Sequence, residues 1–326
     1  MNRRVDVKKN EVHCYDIVIE RGFGAIVDEL DKLNIKGIKL CIVTDSNVGP
    51  IYADKLKSVL EKTGNSIYVF TIPAGEKNKN LSVVETVYTY LIEQHFERRD
   101  MIVALGGGSP MDVAKAVGVV AKYGGSITEY EGADKVPGEI IPLIAIPTTA
   151  GTGSEVTAFS VITDHKRNYK LTVFSYKLIP AYALLDPLLL TSAPASVAAA
   201  CGIDALIHAE ESYVSLDASP FSEAMSEKAM ELIGRSIRSY VADRSNLEAA
   251  SDMLAGSLFA GIAFSWARLG NIHAMSHPVS AFFDVPHGVA NAVLLPVIAE
   301  YNALADHGKY LTIYNDISPI PAYADE

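Results

Sequence analysis

Three cysteines in 326 residues, Cys14, Cys41 and Cys201, are too few and too scattered for a disulfide framework, and no CxxC pair offers sulfur to a metal. Stability must therefore come from a core, which a chain of this length builds easily, and a reducing cytoplasm is the expected compartment. Long apolar runs are missing too: Gly, Pro or charge interrupts each before it reaches membrane-spanning length, so no transmembrane helix is expected. No apolar signal core follows the basic opening Met1-Asn-Arg-Arg-Val-Asp-Val-Lys-Lys-Asn10. Basic residues are outnumbered, 28 against 39 acidic ones, for a net charge of −11. Nucleic acid and anionic membranes are therefore not expected partners, although backbone amides and a few lysines can still hold an anionic cofactor. Internal repeats and low-complexity segments are also lacking.

What is present divides into two halves. From about 37 to 147 the chain alternates short β-rich runs with helical spacing. Lys39–Thr44, Ile67–Ile72, Met101–Leu105 and Leu143–Ile146 read as strands buried on both faces, with helices over Ile51–Thr63 and Leu81–His95. That alternation predicts a parallel, doubly wound sheet. Past Asp186-Pro187 the pattern changes, and from Ala195 onward Ala, Leu, Met, Ser and Glu recur with helical periodicity. The expected organisation is an α/β domain over 1–190 and a helical domain over 191–326.

Two polar turns follow strands in the first half. Met101–Leu105 runs into Gly106-Gly-Gly-Ser109-Pro110, where glycines let the backbone approach a phosphate and the following helix offers free amides. A plain tight turn explains the triple glycine equally well, and it matches neither GxGxxG nor a Walker A loop. Pro147-Thr-Thr-Ala-Gly-Thr-Gly-Ser-Glu155 follows the next strand, at the sheet edge where such folds bind ligands. Asp45, after the first of these strands, either accepts from an adenosine ribose or caps the next helix. Asp112 and Lys115 read as the first turn of a helix, and Phe159, Phe264 and Trp266 as pocket lining or plain core.

The second half carries the histidines. Asp204 and His208 stand four apart, as do His273 and His277, so each pair shares a helix face; His287 returns after a Pro-bounded loop. One carboxylate and three imidazoles form a first shell for a divalent transition metal. Spacing leaves open which of His273 and His277 is the ligand, and each histidine taken singly is more simply a structural side chain.

Four segments together resemble the iron-containing (group III) alcohol dehydrogenases, within the superfamily that includes dehydroquinate synthase. They are Gly106-Gly-Gly-Ser-Pro-Met-Asp112-Val-Ala-Lys115, Pro147 to Thr157, Gly202-Ile-Asp204-Ala-Leu-Ile-His208-Ala-Glu210, and His273 to Pro278 with Pro286-His287-Gly-Val-Ala-Asn291. The resemblance runs in order from roughly residue 15 to 310. It implies a Rossmann-like parallel-sheet domain followed by an all-α domain, and a dehydrogenase or reductase passing hydride between NAD and a small alcohol or aldehyde. The implied ligands of Fe²⁺, or of Zn²⁺, are Asp204, His208, His273 and His287, with His277 as the proton-handling residue, since imidazole titrates near working pH. Gly107, Gly108 and Ser109 would hold the pyrophosphate, and Thr148, Thr149, Thr152 and Lys170 would line the nicotinamide half. Asp45 matches the position where an acidic residue favours NAD over its phosphorylated form. A homodimer or larger homo-oligomer is also implied.

Two departures bear on the reading. Pro73-Ala-Gly-Glu-Lys-Asn-Lys79 looks like the cofactor loop of dehydroquinate synthases rather than the Asn-Pro turn common in these dehydrogenases, and its lysines are placed to reach cofactor phosphates. The family usually continues through further C-terminal helices, whereas Ser318-Pro-Ile-Pro-Ala-Tyr-Ala-Asp-Glu326 is a poor helix because of its prolines. The end therefore reads as truncated or altered. Two rivals follow. One is a dehydroquinate synthase-like lyase using NAD transiently, for which the expected glutamate ligand and basic substrate cluster are lacking. The other is a truncated dinucleotide-binding protein without turnover.

Overall fold

A computed structural model describes residues 3–9, 12–283 and 285–318, with side chains from Tyr15 onward. The proline-containing stretch 319–326 lies outside the described residues. The chain divides into two compact units. One runs to Thr148 and resumes over Ser154–Asp186; the other comprises Thr149–Gly153 and the chain from Pro187 onward. Thus Thr149 and Thr152 group with the helices, while Thr148 stays with the sheet.

In the first unit β1 (Arg3–Lys9), β2 (Val12–Ile19), α1 (Gly24–Lys32), β3 (Lys39–Asp45), α2 (Gly49–Leu60), β4 (Ser66–Ile72), α3 (Leu81–Glu93), β5 (Met101–Gly106) and α4 (Gly108–Tyr123) come first. They are followed by β6 (Gly132–Ala133), β7 (Leu143–Pro147), β8 (Phe159–Asp164), β9 (Tyr169–Phe174) and β10 (Tyr182–Leu185). Seven strands form one sheet in the order β1-β2-β10-β7-β5-β3-β4. Only the β1–β2 edge pair is antiparallel; the rest are parallel. β5 and β7 are buried along their whole length, which is why their sequences are unbroken apolar runs. Each fully buried Ile or Val there contributes roughly 1.5–3 kcal/mol.

Helix ends follow side-chain chemistry. Asn80 Oδ1 accepts from the Val83 amide at 3.1 Å, fixing the start of α3. β6, β8 and β9 form a separate small sheet, built from a stretch that lay outside the four strands read from the alternation. The chain turns away after β4 and returns as β5 on the other side of β3. The carboxyl ends of β3 and β5, carrying Asp45 and the triple-glycine turn, are therefore neighbours. A crevice at such a reversal is where open α/β sheets bind ligands.

The second unit is helical: α5 (Ala195–Val214), α6 (Pro220–Ala242), α7 (Leu247–Ala267), α8 (Asn271–Phe283), α9 (His287–Ala303) and α10 (Lys309–Ile317). By length and composition α7 alone among the described residues is apolar enough to cross a membrane. Its apolarity has a packing cause, because Met253, Leu254, Leu258 and Phe264 are buried among helices. Glycine decides one approach: a Cβ on Gly288 would lie 2.1 Å from the Ala200 carbonyl oxygen. Only glycine lets the start of α9, with His287, sit that close to α5.

Candidate metal centre and cofactor turn

Asp204 and His208 project from one face of α5, and His208 Nε2 lies 3.9 Å from Asp204 Oδ1. His273, in the first turn of α8, brings its Nε2 to 3.6 Å from the same oxygen, and His287, the first residue of α9, brings its Nε2 to 3.8 Å. The donor atoms of Asp204, His208 and His273 all lie within 4.8 Å of one another. Three helices thus bring the three imidazole nitrogens to within 3.6–3.9 Å of one Asp204 oxygen. His277 stands apart from that group. It is half-buried, with its ring 5.8 Å from His273 and stacked at 5.1 Å on His287.

The imidazoles are oriented from behind. His208 Nδ1–H donates to the Gly151 carbonyl at 3.3 Å, and Phe264 stacks on the ring at 4.5 Å. His273 Nδ1 donates to Glu211 Oε2 at 2.6 Å. A neutral imidazole protonated at Nδ1 carries its lone pair on Nε2, so the neutral form of each ring directs that lone pair toward Asp204. Glu211 also accepts from the Ile272 amide at 2.6 Å, so one carboxylate ties α5 to the start of α8 and sets the His273 ring. Carboxylate–histidine pairs of this kind orient metal ligands.

Neither Glu211 nor Asn291 was singled out as a site residue from the sequence. The signal for Glu211 was available: it follows Asp204 by seven and His208 by three, on the same helix face. Asn291 is buried one turn after His287, and its Nδ2 donates to Asp204 Oδ1 at 2.7 Å. Gly151 shows why its motif carries glycine. A Cβ there would fall 2.8 Å from Cys201 Cβ, so the bare backbone allows its carbonyl to reach His208.

Electrostatics in the cluster reflect mutual compensation. Burial works to raise the Asp204 carboxyl, but His208, His287 and His273 outweigh it and hold Asp204 well below the usual carboxylate range. Burial lowers His208 to about 4 despite the opposing charge of Asp204. His273 goes the other way. Burial works to lower it, yet hydrogen bonds and charges from Asp204 and Glu211 raise it to about 9. A buried carboxylate oxygen facing three imidazole nitrogens, whose neutral forms offer lone pairs, has the donor chemistry of a divalent transition-metal site. The residues present fit such an ion. The helical unit also has a cavity of about 1190 Å³, lined by Glu211, Arg268, Asp306 and Lys309 among others. None of the histidine donors lines it, so chemistry at those donors does not take place in that cavity.

In the α/β unit, Gly107 is the residue before α4, and the helix amides begin at Gly108 and Ser109. Gly106 makes the turn possible: its φ is +152°, and a Cβ would come within 2.7 Å of Pro110 Cγ. Thr148 is buried and donates its amide to the Gly106 carbonyl at 3.0 Å, locking the two turns together. Asp45 Oδ1 accepts from the amides of Asn47 at 2.8 Å and Val48 at 3.0 Å, fixing the turn that leads into α2, whose own start at Gly49 has no side-chain cap.

Lys79, at the end of the Pro73–Lys79 loop, meets protein carboxylates. Lys79 is buried, with Nζ 3.0 Å from Asp112 Oδ2 and 3.1 Å from Glu76 Oε1. Burial works to lower its pKa, but Glu76 and Asp112 together hold it above the usual lysine range. Lys170 Nζ reaches the same Glu76 Oε1 at 2.8 Å, and Ser109 Oγ stands 3.5 Å from Glu76 Oε2. Asp112 is a hub as well as a first-turn residue, since its carboxylate also accepts from Ser154 Oγ at 2.8 Å. Phe159 packs on Phe174, and Trp266 is exposed, edge-on to Phe221.

Comparison with known proteins now bears on these features. Residues 16–187 match the model of the iron-containing alcohol dehydrogenases, and residues 198–319 match that of the C-terminal part of the Fe-containing alcohol dehydrogenase family. The 1,3-propanediol dehydrogenase of Citrobacter freundii is 40% identical over 293 residues, covering 89% of this chain and 74% of that protein. A crystal structure of 1,3-propanediol oxidoreductase superposes with a TM-score of 0.85 at 36% identity, covering 93% of this chain and 78% of that one. Sulfoacetaldehyde reductase from Bifidobacterium kashiwanohense, solved with NAD+, has a TM-score of 0.82 at 30% identity, covering 93% and 79%. With both halves matched in order and the fold shared, the chain belongs to the iron-containing alcohol dehydrogenase family, as an oxidoreductase of alcohols and aldehydes.

Proposed function

We propose that this oxidoreductase passes hydride between NAD(H) and a small alcohol or aldehyde, with Fe²⁺, or Zn²⁺ in its place, held by Asp204, His208, His273 and His287. The observation that carries the reading is the buried Asp204 oxygen facing three imidazole Nε2 atoms at 3.6–3.9 Å. The nicotinamide supplies the hydride chemistry when bound, and the divalent metal supplies Lewis acidity toward the alcohol or carbonyl oxygen.

The chain's residues do the rest. Backbone amides at Gly107, Gly108 and Ser109 receive the pyrophosphate at the start of α4. Asp45 keeps one oxygen for the ribose, and its charge repels a 2′-phosphate. Thr148, Thr149, Thr152 and Lys170 line the nicotinamide half. His277 takes the hydroxyl proton during alcohol oxidation, passes it to solvent, and reverses the transfer during aldehyde reduction. The NAD+ complex of the sulfoacetaldehyde reductase supports this choice of cofactor. Family membership supports a homodimer or larger homo-oligomer, which light scattering tests, and Cys41 and Cys201, neither in a disulfide, suit a reducing cytoplasm.

The test is purified protein reconstituted with Fe²⁺ or Zn²⁺, mixed with NADH and a panel of aldehydes while nicotinamide absorbance is followed. NADH oxidation is expected, with loss of both metal and turnover in His273→Ala. His277→Ala is expected to keep its metal and lose about a hundredfold or more in turnover. Dinucleotide binding with no turnover across the panel would replace this reading with a non-catalytic one. Failure to retain any metal would overturn the four-ligand assignment.

A further inference from the structure

Asn291 touches more of the donor cluster than any one ligand's neighbour needs to. Its side chain is fully buried on α9. Nδ2 donates to Asp204 Oδ1 at 2.7 Å and stands 3.3 Å from His273 Nε2 and 3.4 Å from His287 Nε2. One amide nitrogen thus reaches three of the four proposed ligand atoms. Its own Oδ1 is buried with no hydrogen-bond partner. The orientation follows from chemistry: the reverse one would set Oδ1 against a carboxylate oxygen and two imidazole lone pairs. An orphaned buried carbonyl is unfavourable, so the position is accounted for by what Nδ2 does.

Asp204 Oδ1, the oxygen it holds, is the one that faces all three imidazoles. The remaining amide hydrogen lies within reach of the His273 and His287 rings. His208 and His273 are already oriented through Nδ1, by the Gly151 carbonyl and by Glu211. For His287, Ser280 Oγ stands 3.5 Å from Nδ1, the outer limit of a hydrogen bond.

We propose that Asn291 is a positioning residue of this centre. Without being a ligand, it fixes the Asp204 carboxylate through the oxygen that faces all three imidazoles, and so sets how tightly and in what geometry a divalent cation is held. The proposal rests on the four-ligand reading above. Asn291→Leu tests it, because leucine keeps the branched shape while removing both donors and the orphaned oxygen; Asn291→Ala is the second variant.

Co²⁺ would be titrated into wild type and both variants, read by calorimetry and by visible absorption. Cobalt binding roughly 10- to 100-fold weaker is expected, with an altered absorption band and little change in the metal-free unfolding midpoint of Asn291→Leu. Wild-type affinity and spectrum in both variants would overturn the proposal. So would a loss of stability with cobalt affinity intact, the signature of plain packing. A wild type that binds no cobalt would bring down the metal centre itself, whereas a binding wild type with unaffected variants removes only the role of Asn291.

Discussion

Two buried polar clusters invite comparison, one in each unit. In the α/β unit Lys79 meets Asp112 and Glu76, Lys170 meets Glu76, and the fully buried Lys115 donates to Thr157 and to the carbonyl of Phe159. Each cation there has oxygen acceptors within hydrogen-bonding distance. In the helical unit a buried carboxylate oxygen faces the nitrogens of the buried His208 and His273 and of the half-buried His287. Buried charge is common to both and so distinguishes neither. What separates them is composition: ammonium donors match oxygen acceptors in the first, while in the second imidazole nitrogens able to serve as metal ligands through their lone pairs gather on one carboxylate oxygen. A set of that kind suits a divalent cation, as proposed above.

Asp112→Ala probes the balanced side and carries the largest expected effect. It leaves Lys79 buried and half-paired, so stability should fall by about 3–5 kcal/mol with metal stoichiometry unchanged, measured by denaturant unfolding and metal analysis. A fall below about 1 kcal/mol would erase the contrast. Next comes Glu155, which is buried and pushed up to about 7 by that burial, against the pull of Lys115. With its folded pKa above the unfolded 4.5, its contribution is complete below about pH 4.5 and is lost as pH rises through about 7. Wild type should lose on the order of 3 kcal/mol across that window relative to Glu155→Gln. Urea midpoints of the two proteins at about pH 5 and about pH 7.5 check this, and parallel curves would refute it. The smallest effect belongs to the lone-pair side: Glu211→Gln should weaken metal binding about 10- to 100-fold with little change in fold stability. Calorimetric titration measures it, and unchanged affinity would make Glu211 merely a helix cap.

Much of the fold was readable from local pattern. Lys39–Thr44, Met101–Leu105 and Leu143–Ile146 became β3, β5 and β7 because a strand covered on both faces must be apolar at every position. The small sheet of β6, β8 and β9 was not read, although Phe159–Asp164 and Tyr169–Phe174 carry β-branched and aromatic residues of the right kind. In the site, Asp204 and His208 were legible because helix geometry alone brings them together. Glu211 and Asn291 were less so, since carboxylates and amides on helices are usually solvated, and only burial against α8 and α5 gives them work. The lysines of Pro73–Lys79 show the reverse case. As a sequence they offered free cations, but Lys79 is committed to Asp112, a residue 33 positions away.

By itself the sequence determined the division of labour: a parallel sheet with a glycine turn at one strand end, then helices carrying one aspartate and three histidines. Those facts follow from period, from residue chemistry and from spacing within a single element. Tertiary structure alone decided which acceptors share a point, because His273 and His287 reach Asp204 only when α8 and α9 pack on α5. It also decided that Gly151 orients His208 and that Gly288 admits α9 to within contact of Ala200. Such choices depend on distances between segments far apart in the chain, which close packing sets and local periodicity does not encode.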